Sequence, residues 1–368
     1  MLSSIILWFA AIGVVLGGVD KILGNRFGLA EKFQEGLDKI GILVLGMVGI
    51  ICLAPVLANV IAPVISPLCH AIGIDPAVFS SILACDMGGY QLGMELAENP
   101  QIGLYAGIIV ASMFGCTIVF IIPVGLSMIK PDDRPFFARG ILIGMISVPF
   151  GSLIGGIIAR FDLVPLLINT IPTLIISLLV AIGMKLCPHT MIKGCTIFGR
   201  IIEIISIVGL ILAGFTYLTG ITVLPGMDDI MPAVTLVGSI GVVLMGMIPF
   251  FAILLKILDK PLKVIGKHVG LNEISVGGFL LNLANIVYAF TIIKDMDRRG
   301  KVINIAMMVP ASCVFSGHLA LCASVAPDLI APMVIGKLSG GVIAIILGFL
   351  MTRDLAEPAR ITQIQDIP

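Results

Sequence analysis

From residue 2 to residue 351 the chain is a series of apolar runs, most of them about twenty residues long, separated by short polar turns. A run of that length crosses the hydrocarbon core of a bilayer as one helix, and lipid admits only helices or closed barrels, because every main-chain N–H and C=O must be paired within the protein. Crossing helices are expected at 2–19, 40–65, 101–129, 136–159, 163–186, 201–219, 231–257, 302–323 and 331–351. The fold class is therefore an all-α polytopic membrane protein with about nine transmembrane helices. Composition rules out the soluble alternative: 58% hydrophobic and 12% charged residues exceed what a water-soluble core of 368 residues can hide. The zero net charge gives no basic field for nucleic acid, and no hydrophilic stretch is long enough for a soluble catalytic domain. The apolar Met1–Gly18 run lacks the basic leader and the small-residue cleavage signal of a secretory peptide, so it reads as a retained first helix.

Two further segments, 77–97 and 273–293, are either full crossings or re-entrant hairpins that enter and leave on one face. Lys and Arg concentrate in cytoplasmic loops, and this decides between the two. With both segments re-entrant and the N-terminus outside, the clusters 21–39, 130–139, 185–200, 256–267 and 294–301 and the tail with Arg353 and Arg360 all fall inside. The outer loops then hold no Lys or Arg except Arg160. A full crossing at 77–97 would throw Lys130, Arg134 and Arg139 to the outside. The expected protein is thus multi-pass in a plasma membrane, with its C-terminus in the cytoplasm.

The same pass shows a duplication. Gly73-Ile-Asp-Pro and Gly270-Leu-Asn-Glu each open a broken segment, and Ala111-Ser112 recurs as Ala311-Ser312, 200 residues on, in the helix that follows. Pro131-Asp132, Pro135 and Gly140 are echoed by Pro327-Asp328, Pro332 and Gly336. The boundaries expected are a first repeat at 1–160 with hairpin 77–97, a linker helix and cytoplasmic loop at 161–199, a second repeat at 200–352 with hairpin 273–293, and a cytoplasmic tail at 353–368. Five crossings before the second repeat invert it. Inverted repeats with paired broken segments are an arrangement many secondary transporters share, with the solute held between the broken segments near the midplane.

Polar residues gather where such a site would lie. Asp86, beside the Gly88-Gly89 break, is the most informative of them, since an ionised carboxylate at that depth is costly without a compensating ligand or partner, and no helix core shows an evident cation to pair with it. Tyr90, Gln91 and Glu95 follow it on the first hairpin, and Asn282, Asn285 and Tyr288 mark the second. Ser112, Thr117, Ser312 and Ser316 lie on the helices that follow the hairpins. One negative charge suits a small cation, amides and hydroxyls suit a hydroxyl, and either tyrosine offers a cation–π face.

Each residue also has a plainer reading. Asn282 and Asn285 can cap broken helices, Ser112 and Ser312 can be close-packing residues, and the Gly151/Gly155 and Gly336/Gly340 pairs are packing signals. Glu95 sits toward the outer mouth, Lys337 and Arg139 read as snorkelling side chains, and His318 reads as a hydrogen-bonded histidine or a proton relay. The eight cysteines contain no C-x-x-C pair and read as small buried hydrophobes, so no metal or cofactor is expected.

The Ala-Cys-Asp-Met-Gly-Gly-Tyr-Gln-Leu run at 84–92, its Gly-Ile-Asp-Pro lead-in and the layout of nearly the whole chain resemble the EutH ethanolamine utilization membrane proteins. The resemblance implies movement of ethanolamine into bacteria that degrade it in a microcompartment. Ethanolamine at neutral pH is an ammonium ion bearing a hydroxyl, which matches a carboxylate with amide and hydroxyl neighbours. The function expected is uptake of a small amine by alternating access, facilitated or coupled to Na⁺ or H⁺. A channel and a non-transporting sensor or scaffold are the alternatives. An enzyme is not expected, since no nucleophile–base pair or phosphate-binding loop is present. A homo-oligomer would give the moving repeats a fixed scaffold.

Overall fold

The computed structural model describes residues 2–83 and 89–355, and every regular element among them is a helix. The long helices are α1 (Leu2–Ile22) and α2 (Ala30–Ile72). Two short helices follow, α3 (Ser80–Leu83) and α4 (Gly89–Leu96), and then α5 (Pro100–Met128). Next come α6 (Arg134–Ile158), α7 (Leu163–Leu186), α8 (Pro188–Thr219) and α9 (Ile230–Val269). A second short pair, α10 (Glu273–Ala284) and α11 (Ile286–Ile292), precedes α12 (Arg298–Ala311), α13 (Gly317–Val325) and α14 (Ile330–Met351). Among the described residues, eight helices are long and apolar enough to cross a membrane, as an all-α polytopic membrane protein requires.

The run expected as a ninth crossing, 302–323, is instead two helices, α12 and α13. Pro310 removes an N–H from the last turn of α12, Ser312 turns extended (φ −54°, ψ 140°), and Cys313 takes the left-handed region at φ 51°. The corresponding point of α5, residues 111–113, is also unwound, with π-helical turns at Tyr105–Val110 and Thr117–Ile121 on either side. Three helices, α2, α8 and α9, are clearly longer than expected. At 1.5 Å per residue α2 is about 65 Å long, and its first turns, carrying Glu31, Lys32, Glu35, Asp38 and Lys39, are the polar extension of an apolar span.

Both short-helix pairs begin and end at a shared polar clasp. Gly73 and Gly270 open them with positive φ (71° and 69°), the conformation only glycine adopts without strain. In the first pair the Asp75 carboxylate caps the helical turn that starts at Pro76 by accepting from Ala77 N–H, and also accepts from the N–H groups of Glu98 and Asn99, where the segment ends. In the second the roles swap: Asn272 caps α10, and the Asp297 carboxylate accepts from Asn272 N–H (3.0 Å) and from Ser275 Oγ–H (2.6 Å) while capping α12. The entry and exit of each pair are thus tied together.

The helices around these pairs approach closely where side chains are small. Gly151 and Gly155 of α6 cross Gly336 and Gly340 of α14 so tightly that a Cβ on Gly151 would stand 2.9 Å from the Gly336 carbonyl oxygen and 3.0 Å from the Gly340 Cα. At one end of this bundle Lys301 on α12 pairs with Asp133 at 2.6 Å, both nearly buried, and Arg139 bonds Asp354 at 2.7 Å. That guanidinium holds the Asp354 carboxyl below the usual carboxylate range.

Candidate functional site

The two unwound turns lie against each other. Cys116 Sγ is 3.8 Å from Ser312 Oγ, and Thr117 Oγ–H reaches the carbonyls of Met113 (2.7 Å) and, across the interface, Val309 (3.4 Å). Thr117 and Ser312 are fully buried, and Ser112 and Ser316 nearly so.

Unwinding leaves carbonyls in each turn that the helix does not use, and one in each is met by a basic side chain. In α5 the N–H of Cys116 goes to Ala111 O and that of Thr117 to Met113 O, so the Ser112 carbonyl between them is bypassed. Lys337 Nζ donates to it at 2.5 Å from α14. In the second turn Ser316 N–H goes to Cys313 O and bypasses Ser312, whose carbonyl is met by His318 Nδ1 at 3.1 Å. Because a carbonyl only accepts, His318 carries its proton on Nδ1. The residues that sequence comparison paired 200 apart, Ser112 and Ser312, therefore each present a main-chain oxygen to a basic side chain.

Each short pair leans on one of these turns. At the end of α10 the carbonyls of Asn282 and Leu283, which have no next helical turn to accept from, receive the N–H groups of Cys313 and Phe315. Asn282 Nδ2 donates to Asn304 O, while its buried Oδ1 has no hydrogen-bond partner among the described residues. On the other side Gly89 of α4 lies against Ala111, and Gly93 and Gly107 let α4 and α5 touch through their backbones.

Two pockets flank this polar layer. One, of about 130 Å³, is lined by Asn285, Tyr288 and Ser316 together with Lys32, Phe251 and Phe315. The other, of about 460 Å³, is lined by Tyr90, Gln91, Asp228, Asp229 and Val325 among others. Ser316 and Val325 stand at opposite ends of α13, whose nine residues measure about 13 Å, so a short helix separates the two openings.

The expected site residues thus divide. Ser112, Thr117, Asn282, Ser312 and Ser316 converge on the polar layer. Asn285 and Tyr288 line one pocket, and both have local partners: Asn285 Oδ1 caps α11 at Val287 N–H, and Lys32 Nζ sits 5.2 Å from the Tyr288 ring centre. Tyr90 and Gln91 line the other, and Glu95 is exposed, bonded by Gln91 at 3.3 Å. Asp86 lies outside the described residues. At the base of the first pair burial pushes the Asp75 carboxyl above its ordinary range, against the three N–H donors that pull it down.

One expectation is corrected. Lys337 does not snorkel and is not at a helix end: it is fully buried mid-helix, so a cation does stand in a helix core. Its signal in the sequence was a lysine set in an apolar run between Gly336 and Gly340, a spacing that draws the backbone inward instead of toward lipid. Asp228 and Asp229 have a weaker signal in the sequence, that of adjacent acids in a loop without Lys or Arg.

A family model described as "Ethanolamine utilisation protein, EutH" matches residues 2–351. A Listeria monocytogenes protein named "Probable ethanolamine permease EutH" is 44% identical over 351 residues, covering 95% of this chain and 94% of its own. A Salmonella typhimurium protein of the same name is 37% identical, covering 94% of each chain. No solved structure matches the chain. With a match across almost its whole length, the chain belongs to the EutH family of ethanolamine utilisation proteins.

Proposed function

We propose that this protein is a permease that carries ethanolamine inward across the bacterial plasma membrane by alternating access, with its N-terminus outside and its C-terminus in the cytoplasm. The names of its relatives support the substrate. The observation that carries the mechanism is the pair of pockets separated by α13, beside two unwound helices whose spare carbonyls face inward to basic groups. Asp228 and Asp229 belong to a loop that charge distribution puts outside, and Lys32 to one it puts inside, so the pockets open toward opposite faces. Main-chain oxygens in broken helices replace the water around an ammonium ion, and the buried hydroxyls and amides suit the substrate hydroxyl. The two clasped pairs act as re-entrant hairpins of an inverted repeat, and rocking one repeat against the other exposes the polar layer to each pocket in turn.

Purified protein in liposomes should take up radiolabelled ethanolamine saturably, above protein-free vesicles. Asp86→Asn should lose that uptake. Saturable uptake unchanged in Asp86→Asn removes Asp86 from the site, and no uptake by the wild type overturns the permease reading.

A further inference from the structure

Lys337 presents a primary ammonium group, held at 2.5 Å from a main-chain carbonyl that its own helix has given up, with no part of the side chain exposed. Chemically this is the headgroup of a small primary amine on a tether. We propose that the Ser112 carbonyl is the ammonium subsite of the transported amine, and that Lys337 occupies it as a built-in surrogate when no substrate is bound. This inference rests on the permease reading above.

Several features support it. The Ser112 carbonyl is freed by the unwinding of α5 at 111–113, so it is available to a donor from outside the helix. Its hydroxyl is turned back onto the Ile109 carbonyl, which leaves the main-chain oxygen as the group facing Lys337. Thr117 and the Ser312–Ser316 turn, which carry hydroxyls, border the same layer. Lys337 rides on α14, whose Gly336 and Gly340 fix its backbone against α6, so movement of its ammonium comes from rotation about the four-carbon stem.

The consequence is kinetic. With Lys337 in place, the empty protein presents the same charge at Ser112 as the loaded one, and it can return across the membrane without a bare buried carbonyl. An arriving ammonium displaces the lysine, because two cations cannot share one acceptor at this range. Removing the tethered cation slows the return of the empty protein more than the movement of the loaded one.

The test compares two modes in proteoliposomes with radiolabelled ethanolamine: net uptake into empty vesicles, and exchange against internal unlabelled ethanolamine. In Lys337→Met the ratio of exchange to net uptake should rise about tenfold or more, the size expected when a buried carbonyl loses its donor. Exchange and net uptake falling together in folded Lys337→Met, or neither changing, overturns the inference while leaving the permease reading intact. Wild-type protein that moves ethanolamine in neither mode overturns both. Should Lys337→Met fail to fold, Lys337→Arg keeps a competing cation with a forked donor set. It should raise the KM for ethanolamine several-fold, and an unchanged KM overturns the inference.

Discussion

At the scale of single residues, the polar layer is governed by which main-chain oxygens are left over. His318 Nδ1 is the donor to the Ser312 carbonyl. Its replacement by Ala leaves a buried acceptor unmet, a loss of about 1–3 kcal/mol, whereas Asn places an amide N–H near the same point and should recover part of it. Thermal unfolding in detergent of His318→Ala and His318→Asn checks this: equal melting temperatures for the two would contradict the assigned bond. The Lys301–Asp133 pair is a different case, because both ends are charged and nearly buried. Asp133→Asn should cost about 3 kcal/mol by stranding the ammonium, and Lys301→Met combined with Asp133→Asn should cost less than either single change. A double-mutant comparison of denaturation midpoints decides it.

At the scale of elements, close backbone contact and clasped ends shape the site. The α6–α14 crossing tolerates no Cβ at Gly151, since the atoms it would meet belong to the facing backbone. Gly151→Ala should therefore destabilise by about 1–3 kcal/mol, and should weaken uptake by displacing Lys337 with its helix. Gly238 has nothing within contact range, so Gly238→Ala should be neutral or stabilising by up to about 1 kcal/mol. Melting temperatures of the two variants, measured side by side, test the contrast. The clasps explain why segments of the right length for a crossing form paired short helices: an Asx residue at one end bonds the main chain at the other, and a glycine with positive φ turns the chain in. Those capping residues were readable in the sequence as a repeated Gly-x-Asx signal. The swap of roles between Asp75–Asn99 and Asn272–Asp297 was not, because it depends on which side chain faces which N–H.

At the scale of the whole molecule, the proposed orientation makes a prediction that needs no activity. Cys187, exposed between α7 and α8, has Lys185, Lys193 and Arg200 on the two flanking helices, and the proposed orientation puts it on the cytoplasmic side. A membrane-impermeant maleimide should label it in inside-out vesicles and not in intact cells. A cysteine substituted at Gly226 should behave oppositely. Labelling of Cys187 from outside would reverse the topology, and with it the assignment of the Asp228–Asp229 pocket to the outer face.

The apolar runs, their lengths and the glycine pairs settled in advance that this chain is a helical membrane protein and where most of its helices run, because burial in lipid is dictated by local composition and main-chain pairing alone. They also singled out Ser112 and Ser312 as matched positions. What they could not settle was that 302–323 breaks in two, or that Lys337 turns inward to a carbonyl of α5. A long cationic side chain in an apolar run can reach the membrane surface or a buried oxygen, and only the neighbours that three-dimensional packing brings to it decide between them.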